Sequence, residues 1–296
     1  MKWRIGYVAL DSVTETMPTD QVIRGLAELG FDAVDWTIEQ FDPLEQDRQD
    51  FTELVTRSRA AGLDVLQLQM HQDLISGDRH QRARQALRVR RGVEAAAAAG
   101  VPTVGVLTGP NVWEQGAVRI GADMSEEDAW ACATDSLDGI IEVAKREGVD
   151  IGLEPVWGSI VDSAARLQRM LDALPDLGVN YDPSHLVLPG DDIPHFTRLW
   201  AKRIVHVHLK DAFGRRGKAG SDFIFPLLGE GAVPWAEVFA ILDDADYGGC
   251  MSIEFESWAL LRQCFAGDIA RPIGLSLDLA RRLMANAAAG RLDSRD

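Results

Sequence analysis

Cysteine is scarce: Cys132, Cys250 and Cys264 are the only three in 296 residues, and no CxxC pair occurs. An odd, sparse set does not build a disulfide framework, so the three read as reduced and mostly buried thiols. Long apolar runs are missing too. No stretch of 18 apolar residues is available to span a membrane. The opening segment meets Asp11 too early for a secretory apolar core. Positive charge is in short supply, with 30 Lys and Arg against 46 Asp and Glu, a formal −16. A duplex-DNA binder needs a basic face to neutralise phosphates, so no nucleic-acid partner is expected. The charge suits a soluble chain in a cytoplasmic setting. Nor does a Gly-rich phosphate loop follow the first strand candidate: GYVALDS lacks the GxGxxG spacing, which removes the main support for a dinucleotide fold.

What is present has a rhythm of short apolar run, turn and helix. Strands are predicted over 3–8, 33–37, 64–69, 103–107, 150–155, 178–182, 204–209 and 250–254. Helices are predicted over 19–29, 43–61, 78–99, 125–147, 161–173, 194–200, 235–243 and 270–288. Four helices end on glycine directly before a strand (AELG-FDAVDW, RAAG-LDVLQL, AAAG-VPTVGV, KREG-VDIGLE), the residue that accepts a left-handed cap. Helices alternating with buried strands imply a parallel sheet. Eight such pairs in 296 residues fit an α/β fold closed as a (β/α)₈ TIM barrel. A single domain over 1–290 with a flexible tail at 291–296 is expected.

In a parallel barrel the strands are nearly all apolar and chemistry collects at their C-terminal ends. Four successive strands, from the fifth, finish in ionisable residues. VDIGLEPV closes on Glu154. GVNYDPSH carries Asp182, with His185 three residues on. RIVHVHLKD places His206, His208 and Lys210 on one face by period-two spacing. CMSIEFES puts Glu254 and Glu256 on one face. Singly each has an ordinary reading: a capping glutamate, a turn aspartate, a core histidine in His206, a rim residue in Glu256. His80 and His195 fall on helix surfaces, and His71 ends the third strand (LQLQMH). Three carboxylates and an imidazole converging at one barrel end repel unless a cation sits among them. Oxygen-rich ligation with one nitrogen favours Mn²⁺, with Mg²⁺, Co²⁺ or Zn²⁺ as alternatives. Without a thiolate, a structural zinc site is disfavoured.

LEP, DPSH, HVHLKD, LGEGAVPW and GGCMSIEFE, in that order, resemble the sugar isomerase/epimerase family of xylose-isomerase-like TIM barrels. That family includes ketose 3-epimerases, hydroxypyruvate isomerases and inosose dehydratases, with endonuclease IV a relative. The match covers about 149–257. The resemblance implies metal ligands at Glu154, Asp182, His208 and Glu254, with Glu154 and Glu254 as the proton-transfer pair and His185 as a substrate contact. The chain departs from the ketose 3-epimerases at Ile160, where they carry a further glutamate, and at Gly214, where they carry an arginine; Arg215 and Arg216 adjoin it. HVHLKD looks more like the inosose-dehydratase branch and further isomerase branches of the family.

The chemistry so implied is loss of a proton α to a carbonyl, giving an enediolate. Returning the proton to the other face epimerises, passing it to the neighbouring carbon isomerises, and expelling a β-hydroxyl dehydrates. The expected activity is therefore isomerase or epimerase on a small sugar, ketose or polyol, with a keto-inositol dehydratase as the alternative. An endonuclease IV-like hydrolase is disfavoured by the charge and by a total of six histidines. Substrate contacts are expected from His185, Lys210, His71, Arg215 and Trp113, and Trp36 and Trp157 also lie near strand ends. The basic loop AFGRRGKAGSD is either an anion site or a solvated lid. The partner is a small molecule; a homo-oligomer stays open.

Overall fold

A computed structural model describes residues 3–10, 17–266, 268 and 270–293. Eight parallel strands close into a barrel in the spatial order β1-β10-β7-β6-β5-β4-β3-β2. They are β1 (Arg4–Val8), β2 (Ala33–Thr37), β3 (Gln67–Gln69), β4 (Thr103–Val106), β5 (Asp150–Leu153), β6 (Gly178–Tyr181), β7 (Ile204–Leu209) and β10 (Cys250–Ile253). All eight predicted strands are present. The third is shorter than expected, joined to β2 near Asp64 by a single bridge to Ala33. Two short strands, β8 (Phe213–Gly214) and β9 (Phe223–Ile224), form an antiparallel ribbon where the sequence predicts a loop.

Helices fill the gaps: α1 (Thr19–Leu29), α2 (Arg48–Ala60), α3 (Arg79–Ala99), α4 (Glu126–Glu147), α5 (Ala164–Ala173), α6 (Ser184–Val187), α7 (Ile193–Trp200), α8 (Trp235–Asp244), α9 (Trp258–Cys264) and α10 (Ala270–Asp293). α2 starts later than predicted because Asp47 and Asp50 form a reciprocal capping box. The four glycines that precede strands all have left-handed φ, from +65° to +88°. α10 runs on to Asp293, three residues into the predicted tail; 294–296 lie outside the described residues. Among the described residues no helix is long and apolar enough to cross a membrane. Of the cysteines, Cys250 is buried, Cys132 half-buried and Cys264 exposed, so the expectation of buried thiols fails at Cys264.

The apolar core lies between barrel and helices and includes Leu137, Ile140, Leu153 and Phe239. Trp36 belongs to it: fully buried, it donates its Nε1–H to Ser58 Oγ on α2 at 3.1 Å. It therefore faces the helices and shapes no pocket. The barrel interior is polar instead. Asp35, Gln67, Gln69, Asn180, His206, His208 and Ser252 are all buried and hydrogen-bonded with one another across strands or, for Gln69, with Glu254.

The loop after β7 is anchored by Asp211. Its carboxylate accepts hydrogen bonds from the backbone N–H of Ala212, Gly229 and Val233 and from the Trp235 indole, at 3.0–3.3 Å. The HVHLKD and LGEGAVPW motifs are thus two halves of one clamp. A Cβ on Gly231 would lie 2.1 Å from Asp211 Oδ1, so the turn admits only glycine there. Asp211→Ala strands several buried donors, each worth about 1–3 kcal/mol. The expected loss is about 2–4 kcal/mol, read as a lower urea midpoint at unchanged m; a change under about 0.5 kcal/mol, the range of a bland surface substitution, would refute the clamp.

Candidate metal centre

Glu154, Asp182 and Glu254 each stand one residue beyond a strand, where the closed barrel still surrounds them. The backbone N–H of Glu154 and Glu254 continue the ladder, donating to Val106 and Leu209 carbonyls. Period two then turns these side chains inward, with His208 from β7. Glu154, Asp182, His208 and Glu254 present one ligand atom each, all within 4.8 Å of one another and all buried.

The surroundings orient each donor. Asp182 Oδ1 accepts the Ser184 backbone N–H at 2.9 Å, the turn chemistry expected of DPSH. Its Oδ2 points into the cluster and has no hydrogen-bond partner, although Lys210 Nζ lies 2.8 Å away; the approach angle is unsuited to a hydrogen bond. Asn180 donates to Glu154 Oε2 at 2.7 Å, and Gln67 Nε2 donates to Asn180 Oδ1 at 3.2 Å. Gln67 Oε1 is then left to accept from His208 Nε2 at 3.3 Å. With Nε2 turned to Gln67 and Asn180, Nδ1 faces Glu154 and Glu254 at 3.4 and 3.5 Å and lacks a hydrogen-bond partner. Asp182 Oδ2, in ion-pair contact with Lys210 but accepting no hydrogen bond, and His208 Nδ1 therefore border the same spot. A histidine held through its far nitrogen is the usual second-sphere arrangement of a metal ligand. The donor set fits a divalent ion on that ground.

Electrostatics agree that the cluster demands cations. Burial pushes the Glu154 carboxyl up, but the imidazoles of His208, His185 and His71, 3.3–3.4 Å away, outweigh it and hold it well below the usual range. Burial likewise raises Glu254, and Lys210 and His208 overcome it. Burial lowers His208, yet Glu254 and Glu154 lift it well above an ordinary imidazole. Lys210 is lowered by burial and lifted more by Asp182, Glu254 and Glu256.

Of the predicted contacts, His185 approaches Glu154 Oε1 at 3.3 Å and Asp182 Oδ2 at 3.4 Å. Its Nδ1 accepts the Trp157 backbone N–H at 3.5 Å. Lys210 Nζ donates to Glu256 Oε2 at 2.8 Å and to Glu254. His71 Nε2 lies 3.3 Å from Glu154 Oε2. These residues, with Glu256, Trp113 and Trp157, line one cavity of about 650 Å³. Arg215 is exposed on the β8–β9 ribbon and does not line it. His80 and His195 are exposed on helices. His206 Nε2 pairs with Asp35 Oδ2 at 2.8 Å and Ser252 Oγ at 3.2 Å, one layer down, a satisfied core histidine. Sequence reasoning missed Asp35, Gln67, Gln69 and Asn180, and on the cavity wall Phe223, Phe225 and Trp258.

A family model described as xylose isomerase-like TIM barrel matches residues 23–270. The chain belongs to that family. Among curated relatives, inosose dehydratase 2 of Bacillus cereus is 29% identical over 146 residues, 44% of this chain and 48% of the relative. The chain thus matches the curated relatives over about half their length. Among solved structures, D-psicose 3-epimerase of Clostridium cellulolyticum, crystallised with D-tagatose, superposes with TM-score 0.71 at 16% identity, covering 95% of this chain and 99% of that one. The IOLI protein with a bound zinc atom superposes with TM-score 0.72 at 14% identity, covering 96% and 99%. These two likenesses are of fold. Family members are sugar-modifying enzymes.

Two outcomes follow for the metal centre. After Mn²⁺ addition the protein should hold about one ion per chain, and chelation should lower Tm; metal analysis finding none would leave a charge cluster neutralised by His208 and Lys210 alone. Gln67→Leu, which frees the His208 ring, should weaken Mn²⁺ binding about 10–100-fold in competition titrations; unchanged affinity would deny Gln67 that role.

Proposed function

We propose that this protein is a divalent-metal-dependent isomerase or epimerase of a small sugar, ketose or polyol. The observation that carries the reading is the buried Glu154–Asp182–His208–Glu254 set, whose four ligand atoms lie within 4.8 Å of one another. These four residues would hold the ion, and Mn²⁺ suits their oxygen-rich donors, with Mg²⁺, Co²⁺ or Zn²⁺ as alternatives. The chemistry a bound ion supplies is Lewis acidity, which stabilises the charge that develops on a carbonyl oxygen as the neighbouring C–H ionises.

The chain's own residues do the rest. Glu154 and Glu254 are kept ionised by their neighbours and so can accept a proton. They come from β5 and β10, on different parts of the barrel wall, so a substrate between them meets a carboxylate from each side. Glu154 takes the α-proton, the Lys210 ammonium hydrogen-bonded to Glu254 supplies through that carboxylate the proton that reaches the opposite face, and the proton left on Glu154 returns to Lys210 by way of solvent; the reverse sense uses the same groups. His185 lies beside Glu154 and Lys210 beside Glu254, where they orient substrate hydroxyls, and His71 braces Glu154. The walls exclude water and hold the reacting groups in one pose.

A second reading, dehydration of a keto-inositol, is favoured by the inosose dehydratase names of the curated relatives and by Lys210. Its ammonium, next to Glu254 and Glu256, can give a proton to a departing β-hydroxyl. A conjugated enone or dione chromophore in the product distinguishes this reaction from isomerisation.

Glu154→Gln and Glu254→Gln test the carboxylate pair. The amide still offers an oxygen ligand but cannot take a proton. Turnover per bound Mn²⁺ should fall roughly 10²–10⁴-fold in each variant. Near wild-type turnover in both at saturating Mn²⁺ would remove the pair from the mechanism and move the base to His185 or Lys210.

A further inference from the structure

The chain is strongly acidic, yet the first half of α3 is the reverse. RHQRARQALRVRR, residues 79–91, holds six arginines and no acid. Three of them are engaged with the protein's own surface. Arg88 forks onto Asp42 at 3.0 Å, Arg82 donates to the Ser76 carbonyl at 2.7 Å, and Arg90 packs over Gly139 of α4. Arg79, Arg84 and Arg91 are exposed. Arg84 meets only Glu45, at 3.7 Å, with the two side chains 64% and 68% exposed, and an ion pair of that kind holds little. Arg79 and Arg91 have no ion-pair partner among the described residues.

The neighbouring helix α4 packs alongside α3 and carries the opposite sign. Glu127, Ala131, Asp135, Asp138 and Glu142 recur at helical spacing on its outward face and are all exposed. None of these four acids has an ion-pair partner among the described residues. The outward face of α3 is His80, Arg84, Leu87 and Arg91 by the same spacing, with Leu87 39% exposed at its middle. Both helices lead out of parallel strands and so run in one direction. Arg90 over Gly139, and Arg146 at 3.5 Å from Glu94, fix their relative height. Each α3 residue stands level with the α4 residue about fifty further on. Arg84 is therefore level with Asp135, and Arg91 with Asp138 and Glu142. The two stripes lie side by side and both point outward, so no ion pair joins them within the chain.

We propose that this flank is the interface of a two-fold dimer, with α3 of each copy seated on α4 of the other. A nucleic acid or a uniformly acidic protein that approached α3 would meet the α4 stripe and be repelled. The surface calls for a partner with base and acid side by side in the opposite order. A second copy turned about a two-fold axis parallel to the helices presents that order, because the rotation exchanges left and right and preserves height. It sets Arg84 on Asp135, and Arg91 on Asp138 and Glu142, once in each direction. Leu87 and Ala131 carry no charge and allow close apolar contact between the stripes. A helix of 21 residues is about 31 Å long, a span that suits an interface of ordinary size. Such charges set orientation and partner choice more than affinity, so the association is sensitive to salt. The flank is separate from the cavity mouth, and the dimer does not depend on the chemistry proposed for the metal centre.

The test is sedimentation velocity of the full chain at concentrations on the order of 1–100 μM. The protein should sediment as a dimer, and raising NaCl from about 0.05 M to about 0.5 M should weaken Kd about tenfold. Two double variants reverse one stripe each: Arg84→Glu with Arg91→Glu, and Asp135→Arg with Asp138→Arg. The first makes both stripes acidic and the second makes both basic, so each alone should be monomeric, with Kd raised about 100-fold or more. Mixed in equal amounts they should form a heterodimer, since each acidic stripe then faces a basic one. Rescue on mixing is a result that a folding defect could not give. Where a reversal lowers Tm, the alanine pair at the same positions replaces it, with Kd raised about tenfold. Three results would each overturn the proposal: a wild-type chain that stays monomeric in low salt, whether or not it takes up heparin; a dimer that survives both reversals; and two folded variants that remain monomers when mixed.

Discussion

Three carboxylates withdrawn from water within a few ångströms of one another set the terms for the rest of this molecule. Glu154, Asp182 and Glu254 are 1%, 0% and 6% exposed. An isolated buried carboxylate carries a desolvation penalty of several kcal/mol even after relaxation, and three together add mutual repulsion. The chain answers with His208, His185 and Lys210 at contact distance and with the amides of Asn180 and Gln69. A divalent ion among the four donors meets the same demand more completely.

That demand explains the unusual barrel interior. Branched aliphatic layers normally fill such a barrel. Here His208 needs Gln67 to hold its ring, Gln67 needs Asn180, and His206 below needs Asp35 and Ser252. Each buried polar group is tolerable only because the next one satisfies it. The network therefore extends into the layer below the carboxylates, and only the space between barrel and helices keeps an ordinary apolar core. The Asp211 clamp belongs to the same logic, since it holds the segment that follows Lys210 and so the ammonium beside Glu254.

Much of this was legible in the sequence. Eight apolar runs, four of them directly after glycine-ended helices, mark the barrel strands, because buried parallel strands leave no room for polar faces toward the helices. Against that background Glu154, Asp182 and Glu254 stand out as acids at strand ends, and HVHLK shows its inward face by alternation. The amides were harder. LQLQMH alternates just as plainly, but glutamine is uncharged, and only His71 drew notice. Asp35 and Trp36 are adjacent on β2, and which one faces inward depends on a strand phase that no repeat in AVDWT declares. Phe223 and Phe225 reach the cavity through the β8–β9 ribbon, a pairing of residues nine and eleven apart across a Gly-rich loop that composition presents as solvated. Arg215 is outward for the same reason: the ribbon, not its charge, decides where it points.

The central claim is that the buried carboxylates move a proton at carbon next to a carbonyl. Solvent isotope exchange reads that event whatever the final product. The protein, loaded with diamagnetic Mg²⁺ or Zn²⁺, is incubated in D₂O with ketoses and keto-inositols, and the C–H beside the carbonyl is followed by proton NMR. The account predicts that this signal is lost to deuterium in at least one substrate, and that Glu254→Gln suppresses the loss. Product that forms with its C–H fully retained would point to direct hydride transfer and contradict the account.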